Sequence, residues 1–171
     1  KYNMVAEVLK SDGVEAYPGS AALARHLRGT NMKMAVVSSS KSCKVVLKAA
    51  GIIDLFDEIV DGETAAAQKL PGKPAPDTYL KAAALLEVAP ARAVVVEDAI
   101  SGVQAGRNGQ FGLVIGVARK DNATVLKEHG ADMVVTDLAE LMSRSKVIPE
   151  FCTGCRSEAP KRPLNTGGFT P

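Results

Sequence analysis

The sequence has 171 residues, of which 46% are hydrophobic and 23% charged, and its net charge is +2. This composition is typical of one globular domain and excludes a disordered chain, a collagen-like repeat and a disulfide-rich scaffold. Since no apolar run could span a bilayer and no signal peptide is recognisable, we expect no membrane partner. Residues 1–142 contain 16 Lys and Arg against 17 Asp and Glu, so nothing indicates a nucleic-acid partner.

Short apolar runs alternate with helical patterns along the first 142 residues. The runs are rich in Val and Ile and nearly continuous, which is typical of parallel strands buried on both faces. The βαβα order predicts an α/β fold, a three-layer α/β/α Rossmann-like core with a mostly parallel sheet. Strands are expected at 34–37, 58–60, 93–96, 113–117 and 131–135, and helices at 19–29, 41–50, 77–87, 101–108 and 121–129.

Three serines and a lysine follow the first of these strands. Ligands of open α/β sheets bind at the carboxyl ends of strands, where hydroxyls, backbone N–H groups and a helix dipole can hold an anion. The candidates are Ser38, Ser39, Ser40 and Lys41. The alternative is that one serine only caps the next helix.

A stiff loop at 72–77 contains Lys73 followed by two prolines within three residues. The first proline biases Lys73 away from helical dihedral angles. A lysine held in this way suits a phosphate or a carboxylate, although most loop lysines are simply exposed. Asp77 is predicted to cap the helix that follows.

Two adjacent carboxylates, Glu97 and Asp98, follow the most apolar predicted strand. Carboxylates at a buried strand end are costly unless they are paired or bound to a cation. Their oxygens suit Mg²⁺, so we favour a metal site. The alternative is that both interact only with the dipole of the next helix.

The segment 143–171 carries five basic and two acidic residues and four of the nine prolines, and we predict a disordered tail or linker. Cys152 and Cys155 form a single CxxC, which is weak evidence for a zinc or redox site and is better explained as an incidental pair. Cys43 lies in a helical pattern and is predicted to be a packed thiol. This cysteine usage fits a reducing, cytoplasmic location.

Six segments carry a resemblance to a known family: YPG at 17–19, AVVSSSK at 35–41, LFDEIVDG at 55–62, GKPAPD at 72–77, AVVVEDAISGVQAG at 93–106 and VIGVAR at 114–119. In this order they resemble the haloacid dehalogenase superfamily, and within it the β-phosphoglucomutase-like branch. The resemblance implies Mg²⁺-dependent phosphoryl transfer on a small phosphorylated metabolite such as a sugar phosphate. It assigns phosphate binding and catalysis to Ser38 and Lys73, further phosphate contacts to Ser40 and Lys41, and Mg²⁺ to Glu97 and Asp98.

The sequence departs from this superfamily near its N-terminus. The superfamily nucleophile is an Asp in a DxDGx(V/T) motif that ends the first, central strand, between the strands ending at Ser38 and Asp98. Asp12 and Gly13 match this motif only in residue type, because no apolar strand precedes them and Lys10 stands where the nucleophile would be. Since the sequence also lacks an initiator Met, we expect a chain that begins partway through an enzyme, without its central strand, its nucleophile and most of its cap domain.

This departure predicts the domain organisation and a doubtful activity. Residues 1–13 are interpreted as a remnant of a cap helix, 14–142 as the core and 143–171 as the tail. The two strands flanking the missing one should pair directly, leave a gap, or accept a strand through a complementing N-terminal segment or self-association. We expect the chain to be inactive alone. A non-catalytic phosphate-binding or interaction module is the alternative, and a nucleotide binder is a weaker one, since no G-x-G-x-x-G or P-loop is present.

Overall fold

The computed structural model describes residues 14–30 and 32–143 of the chain. Within these ranges the expected α/β alternation is confirmed. The strands are β1 (Ala35–Val37), β2 (Glu58–Val60), β3 (Val94–Glu97), β4 (Leu113–Val117) and β5 (Met133–Val135). The helices are α1 (Pro18–Arg28), α2 (Cys43–Ala49), α3 (Gly62–Ala67), α4 (Asp77–Leu85), α5 (Ile100–Asn108), α6 (Ala123–Glu128) and α7 (Ala139–Ser143).

The strands form two separate parallel sheets. In the first, β1 pairs with β2 so that Val36 lies opposite Ile59. In the second, β4 is central, with β3 on one side and β5 on the other. Among the described residues no strand pairing joins β1 to β3. Of the three arrangements expected without a central strand, direct pairing of β1 with β3 is therefore not found among the described residues.

Helices cover both faces of the three-stranded sheet, which confirms the three-layer architecture. One apolar cluster packs α4 and α5 against β3 and β4, and contains Tyr79, Val95 and Val103. The opposite cluster packs α1 and the segment around α7 against β4 and contains Leu23 and Ile115. Val37 of β1 packs against the first cluster, so the two sheets share part of one core.

Besides shifts of one or two residues at their ends, the helices differ from the predictions in two respects. Helices α3 and α7 lie in segments where no helix was expected. The prediction that Asp77 caps α4 is wrong, because Pro76 is the N-cap and Asp77 is already the first helical residue. Pro76 has helical dihedral angles (φ −80°, ψ −6°), and the helix begins one residue earlier than a cap at Asp77 would allow. Asp77 therefore lies in the first turn, where the helix dipole favours a carboxylate.

Some sequence predictions fall on residues 1–13 and 144–171, which lie outside the described residues. They are the cap remnant, the tail, and any role of Cys152 and Cys155. Cys43 is confirmed as a packed thiol at the start of α2, and burial raises its pKa. No helix in the described ranges is both long and apolar enough to cross a membrane.

Candidate active site

Lys73 lies where the carboxyl ends of β1 and β3 approach each other. Its Nζ is 3.5 Å from the carbonyl oxygen of Val37, the last residue of β1, and it also donates to Oε1 of Glu97, the last residue of β3. Ser38 follows Val37 directly, and Asp98 follows Glu97. The structure therefore brings Ser38, Lys73, Glu97 and Asp98 to one edge, as the topology of parallel strands predicts for Ser38, Glu97 and Asp98.

The Glu97 carboxylate has protein partners on both oxygens. Besides Lys73, Oε1 accepts a hydrogen bond from the Tyr79 hydroxyl at 3.0 Å. Oε2 accepts from the backbone N–H groups of Asp98 and Ala99, each at 2.9 Å. The side chains of Lys73 and Glu97 are only 12% and 11% exposed, so this is a buried ion pair whose oxygens are satisfied on every side.

The pKa values show how this burial is offset. Burial alone would raise the pKa of Glu97, but the hydrogen bond from Lys73, the N–H of Ala99 and the Lys73 charge outweigh it, so the pKa is lowered. Burial, together with the nearby Glu97 charge, raises the pKa of Tyr79 far above its usual value. Tyr79 therefore stays protonated and Glu97 stays ionised at neutral pH.

Gly102, in the first turn of α5, gives the Glu97 side chain its space. A Cβ at this position would overlap the carboxyl group of Glu97. The helix that begins after Asp98 can therefore approach the strand end closely only because residue 102 has no side chain.

The serine loop after β1 is held by its own hydroxyls. Ser38 Oγ accepts from the N–H of Ser40 at 3.2 Å, and Ser40 Oγ accepts from the N–H of Ser42 at 3.1 Å. The N-cap of α2 is Ser42, without a side-chain capping bond. No serine of 38–40 therefore caps the helix. Ser39, Ser40 and Lys41 are exposed, while Ser38 is half-buried.

Close packing against the end of β2 fixes the position of this loop. The N–H of Gly62 donates to the carbonyl of Ser40 at 3.2 Å. A Cβ on Gly62 would overlap the carbonyl oxygen of Ser39, so only glycine permits this approach. The loop and the first turn of α3 are thereby joined.

Two further features of this edge were missed from the sequence. Tyr79 lies within the helix expected at 77–87, and nothing in its spacing indicates a hydrogen bond to Glu97. Arg119, after β4, packs 3.7 Å from the ring centre of Tyr17 and donates to Ser20 Oγ at 3.1 Å. It also lines an open cavity of about 250 Å³ beside the carboxylates, with Val96, Glu97, Asp98, Val117 and Leu138.

Asp98 is the member of the acidic pair that fits a magnesium ion. It is exposed, whereas both oxygens of Glu97 are already engaged. In the described ranges no group of three or more His, Cys, Asp and Glu side chains could hold a metal. Since Mg²⁺ takes few protein carboxylates and completes its shell with water and phosphate oxygens, Asp98 can supply one ligand.

The sequence pattern of the haloacid dehalogenase-like hydrolases matches residues 2–110, more than half of the chain. The chain belongs to this family. A β-phosphoglucomutase of Mycobacterium bovis is 43% identical over 145 residues, which cover 83% of this chain and 55% of that protein. The relatives place the chain in the β-phosphoglucomutase-like branch, an enzyme branch with phosphatase- or phosphomutase-like function.

Solved structures agree with this assignment. A β-phosphoglucomutase from Clostridium difficile has a TM-score of 0.72 at 25% identity, covering 89% of this chain and 65% of that one. A hydrolase of this family from Deinococcus radiodurans, solved with bound phosphate and sodium, has a TM-score of 0.68 at 28% identity. The match covers 85% of this chain and 75% of that one. The chain spans about half the length of the curated β-phosphoglucomutases it matches.

Proposed function

We propose that this chain is the core of a phosphatase or phosphomutase that acts on a small phosphorylated metabolite such as a sugar phosphate. The observation that carries the proposal is the buried ammonium of Lys73, held between the ends of β1 and β3 and adjacent to Ser38. Phosphoryl transfer depends on fixed positive charge and hydrogen-bond donors around the transferring group more than on covalent chemistry by the protein. A lysine held at both strand ends supplies that fixed charge.

Each side chain of the site has a separate proposed role. Lys73 neutralises charge on the transferring group, and Glu97 holds its ammonium in position. The Ser38 hydroxyl donates to a phosphoryl oxygen, and the exposed loop of Ser39, Ser40 and Lys41 contacts the phosphate from the other side. These roles require that the phosphate lies over the carboxyl edge of β1 and β3.

Mg²⁺ is the proposed cofactor, with Asp98 as its main protein ligand. Glu97 contributes an oxygen only if the metal shares it with Lys73 or displaces Lys73, because both oxygens are already hydrogen-bonded. When bound, Mg²⁺ supplies Lewis-acid neutralisation of phosphoryl oxygens. A cytoplasmic location remains a prediction.

The isolated chain is expected not to turn over substrate. The family resemblance places the nucleophilic Asp on a strand between β1 and β3, and among the described residues no strand lies there. A non-catalytic phosphate-binding module is the second candidate. It is favoured by the complete hydrogen bonding of Glu97, because the described residues then offer no preformed group of metal ligands beside the proposed phosphate site.

Phosphate titration followed by thermal unfolding tests the binding site. Inorganic phosphate should raise the Tm of the wild type, and Ser38→Ala and Lys41→Ala should weaken this shift. Lys48→Ala is the matched control, since this exposed lysine lies in the last turn of α2 rather than in the serine loop. Equal phosphate-induced Tm shifts in all four proteins would contradict the proposed phosphate site.

Turnover tests the expected inactivity, and the Mg²⁺ dependence of phosphate binding separates the two candidate functions. With p-nitrophenyl phosphate and Mg²⁺ we expect no hydrolysis by the isolated chain. Hydrolysis that Asp98→Asn abolishes would show that the inactivity proposal is wrong. If phosphate binds equally well with and without Mg²⁺, and equally well in Asp98→Asn, the non-catalytic module is the better description.

A further inference from the structure

Tyr79, in the first turn of α4, contacts both members of the buried ion pair of Lys73 and Glu97. Its hydroxyl donates to Oε1 of Glu97 at 3.0 Å. Nζ of Lys73 lies over its ring, 4.7 Å from the ring centre. A cation within about 6 Å of the centre of an aromatic ring is attracted to the ring face. One side chain therefore holds the anion through a hydrogen bond and the cation through its ring.

The apolar core holds the Tyr79 ring in place. The side chain is only 7% exposed, and its ring meets that of Phe111 edge to face, with the ring centres 5.9 Å apart and the ring planes at 69°. Aromatic pairs favour this geometry. Both rings belong to the apolar cluster that also contains Val95 and Val103. Because the core fixes the ring, the ring can in turn position the ammonium of Lys73.

The loop that carries Lys73 is held by contacts that do not involve the lysine side chain. Asn108, the last residue of α5, donates from Nδ2 to the carbonyl of Pro74 at 3.0 Å. Gly109 lies so close to Pro76 that a Cβ on the glycine would be 3.0 Å from the proline side chain. These contacts do not fix the flexible four-carbon stem of Lys73. The position of its ammonium therefore depends on the groups around Nζ.

The groups around Nζ of Lys73 leave one of its donors available. A lysine ammonium has three N–H donors. Oε1 of Glu97 accepts from Nζ, and the carbonyl oxygen of Val37 lies 3.5 Å away. Among the described residues Nζ has no third acceptor, so one N–H can reach a phosphoryl oxygen. The Tyr79 ring covers one side of the ammonium and so restricts the direction of that N–H.

We propose that Tyr79 is a positioning residue of the phosphate site, whose ring and hydroxyl together direct the remaining N–H of Lys73 toward the bound phosphate. The ring acts on the ammonium directly, and the hydroxyl acts through Glu97, whose Oε1 it holds in place. In this role Tyr79 needs no contact with the phosphate itself. The inference rests on the proposed function, because it concerns the lysine on which that function depends.

Titration of the full chain with inorganic phosphate, followed by phosphorus NMR, tests the proposal. Tyr79→Phe keeps the ring and loses the hydroxyl, so the Kd for phosphate should rise about threefold. Tyr79→Leu loses both contacts, so the Kd should rise about tenfold. Phe111→Leu is the matched control, because it removes the neighbouring ring of the same cluster. It should lower the Tm as Tyr79→Leu does but leave the Kd unchanged.

The proton chemical shifts of the Lys73 side chain test the ring contact in the chain without phosphate. Protons above the face of an aromatic ring resonate upfield, because the circulating π electrons oppose the applied field. The Hε protons of Lys73 should therefore lie upfield of those of the exposed Lys48 in the wild type and in Tyr79→Phe. In Tyr79→Leu this difference should disappear. Equal shifts of the two lysines in the wild type would overturn the proposal.

A third comparison shows whether Tyr79 acts through the ion pair. Tyr79→Phe added to the double variant Lys73→Met with Glu97→Gln should weaken phosphate binding no further, since the pair through which the hydroxyl acts is gone. A loss in this background equal to the loss in the wild-type background would overturn the proposal, because the hydroxyl would then act by another route.

The phosphate titrations also separate this inference from the proposed function. If the wild type binds phosphate and Tyr79→Leu weakens that binding no more than Phe111→Leu does, Tyr79 contributes only packing, and the proposed function stands without this inference. If the wild type binds no phosphate, both are wrong. A rise in Kd that is largest in Tyr79→Leu, smaller in Tyr79→Phe and absent in Phe111→Leu is the result that the proposal requires.

Discussion

The two sheets supply different parts of the same site and are buried to different extents. All five residues of β4 are buried, and Val114 and Ile115 are fully inaccessible. No residue of β1 is fully buried. The acidic pair thus extends from the well-packed sheet, whereas the serine loop extends from the less buried one. Lys73 contacts both strand ends, so it adds a polar link between hydroxyls and carboxylates to the apolar packing of Val37 that the two sheets share.

The largest effect should come from the core of the better packed sheet. Ile115→Ala should lower the free energy of unfolding by about 4 kcal/mol, because it leaves a cavity where no solvent can enter. Ile59→Ala, the same substitution in half-buried β2, should cost about half as much. Urea unfolding of both variants measures the difference. Equal losses would contradict the unequal burial of the two sheets.

Removing the connection between the sheets should have the next largest effect. Lys73→Met leaves the Glu97 carboxylate buried without its counter-ion, and should cost about 3 kcal/mol in urea unfolding at pH 7. The double variant Lys73→Met with Glu97→Gln should recover part of this loss, since no unpaired charge remains.

A solvent-exposed pair provides the control for Lys73. Lys33 and Glu87 lie 3.7 Å apart, and their side chains are 52% and 85% exposed. Lys33→Met should therefore change stability little, because water screens such a pair. If Lys73→Met were as mild as Lys33→Met, Lys73 would not hold the two sheets together.

The sequence predicted which residues meet at the carboxyl edge of the strands better than it predicted the hydrogen bonds and ion pair between them. The bounds of β2 and β4 agree with the apolar runs, and strand order placed Ser38 and Glu97 together, because polar residues after parallel strands meet at one edge. Lys73 follows no strand, and only the family resemblance joined it to this site. The ion pair of Lys73 with Glu97 was not predicted. It joins residues 24 positions apart, and side-chain direction across a loop leaves no periodic signal.

Short helices were the other failure. Helix α3 has six residues and no large apolar side chain, and α7 has only five residues, so neither shows a repeating apolar face. Tyr79 lies in the helix expected at 77–87, but its hydroxyl bond to Glu97 depends on how α4 packs against β3. The local sequence pattern therefore predicted most helices and strands, while the side-chain contacts between them could be seen only in the three-dimensional structure.

Gly102→Ala should lower stability less than Lys73→Met does, and it should act through the same Glu97 carboxylate. The added methyl group overlaps Glu97 and should displace it, at a net cost of about 1 to 2 kcal/mol after the helix propensity of alanine is counted. Gly72→Ala is the control, since a Cβ there meets no atom within 4 Å, and its effect should stay within about 0.5 kcal/mol. Equal thermal shifts in the two variants would show that Glu97 moves freely.

The smallest expected effect is the pH dependence of the Glu97 interaction. Because its pKa is lowered from 4.5 in the folded chain, its stabilising contribution is complete above pH 4.5 and is lost as the pH falls through the folded value. The difference in unfolding free energy between wild type and Glu97→Gln measures this, since Asp57 and Asp61, whose pKa values are also lowered, cancel.

That difference should be constant from neutral pH down to pH 4.5 and then shrink toward zero, because a protonated glutamate resembles glutamine. In the Lys73→Met background the decline should vanish or reverse, since without its counter-ion the buried Glu97 favours the protonated form. A decline that persists unchanged without Lys73 would assign the lowered pKa to the backbone N–H groups of Asp98 and Ala99. Glu97 would then be held by its own strand end, and the two sheets would meet there without an electrostatic connection.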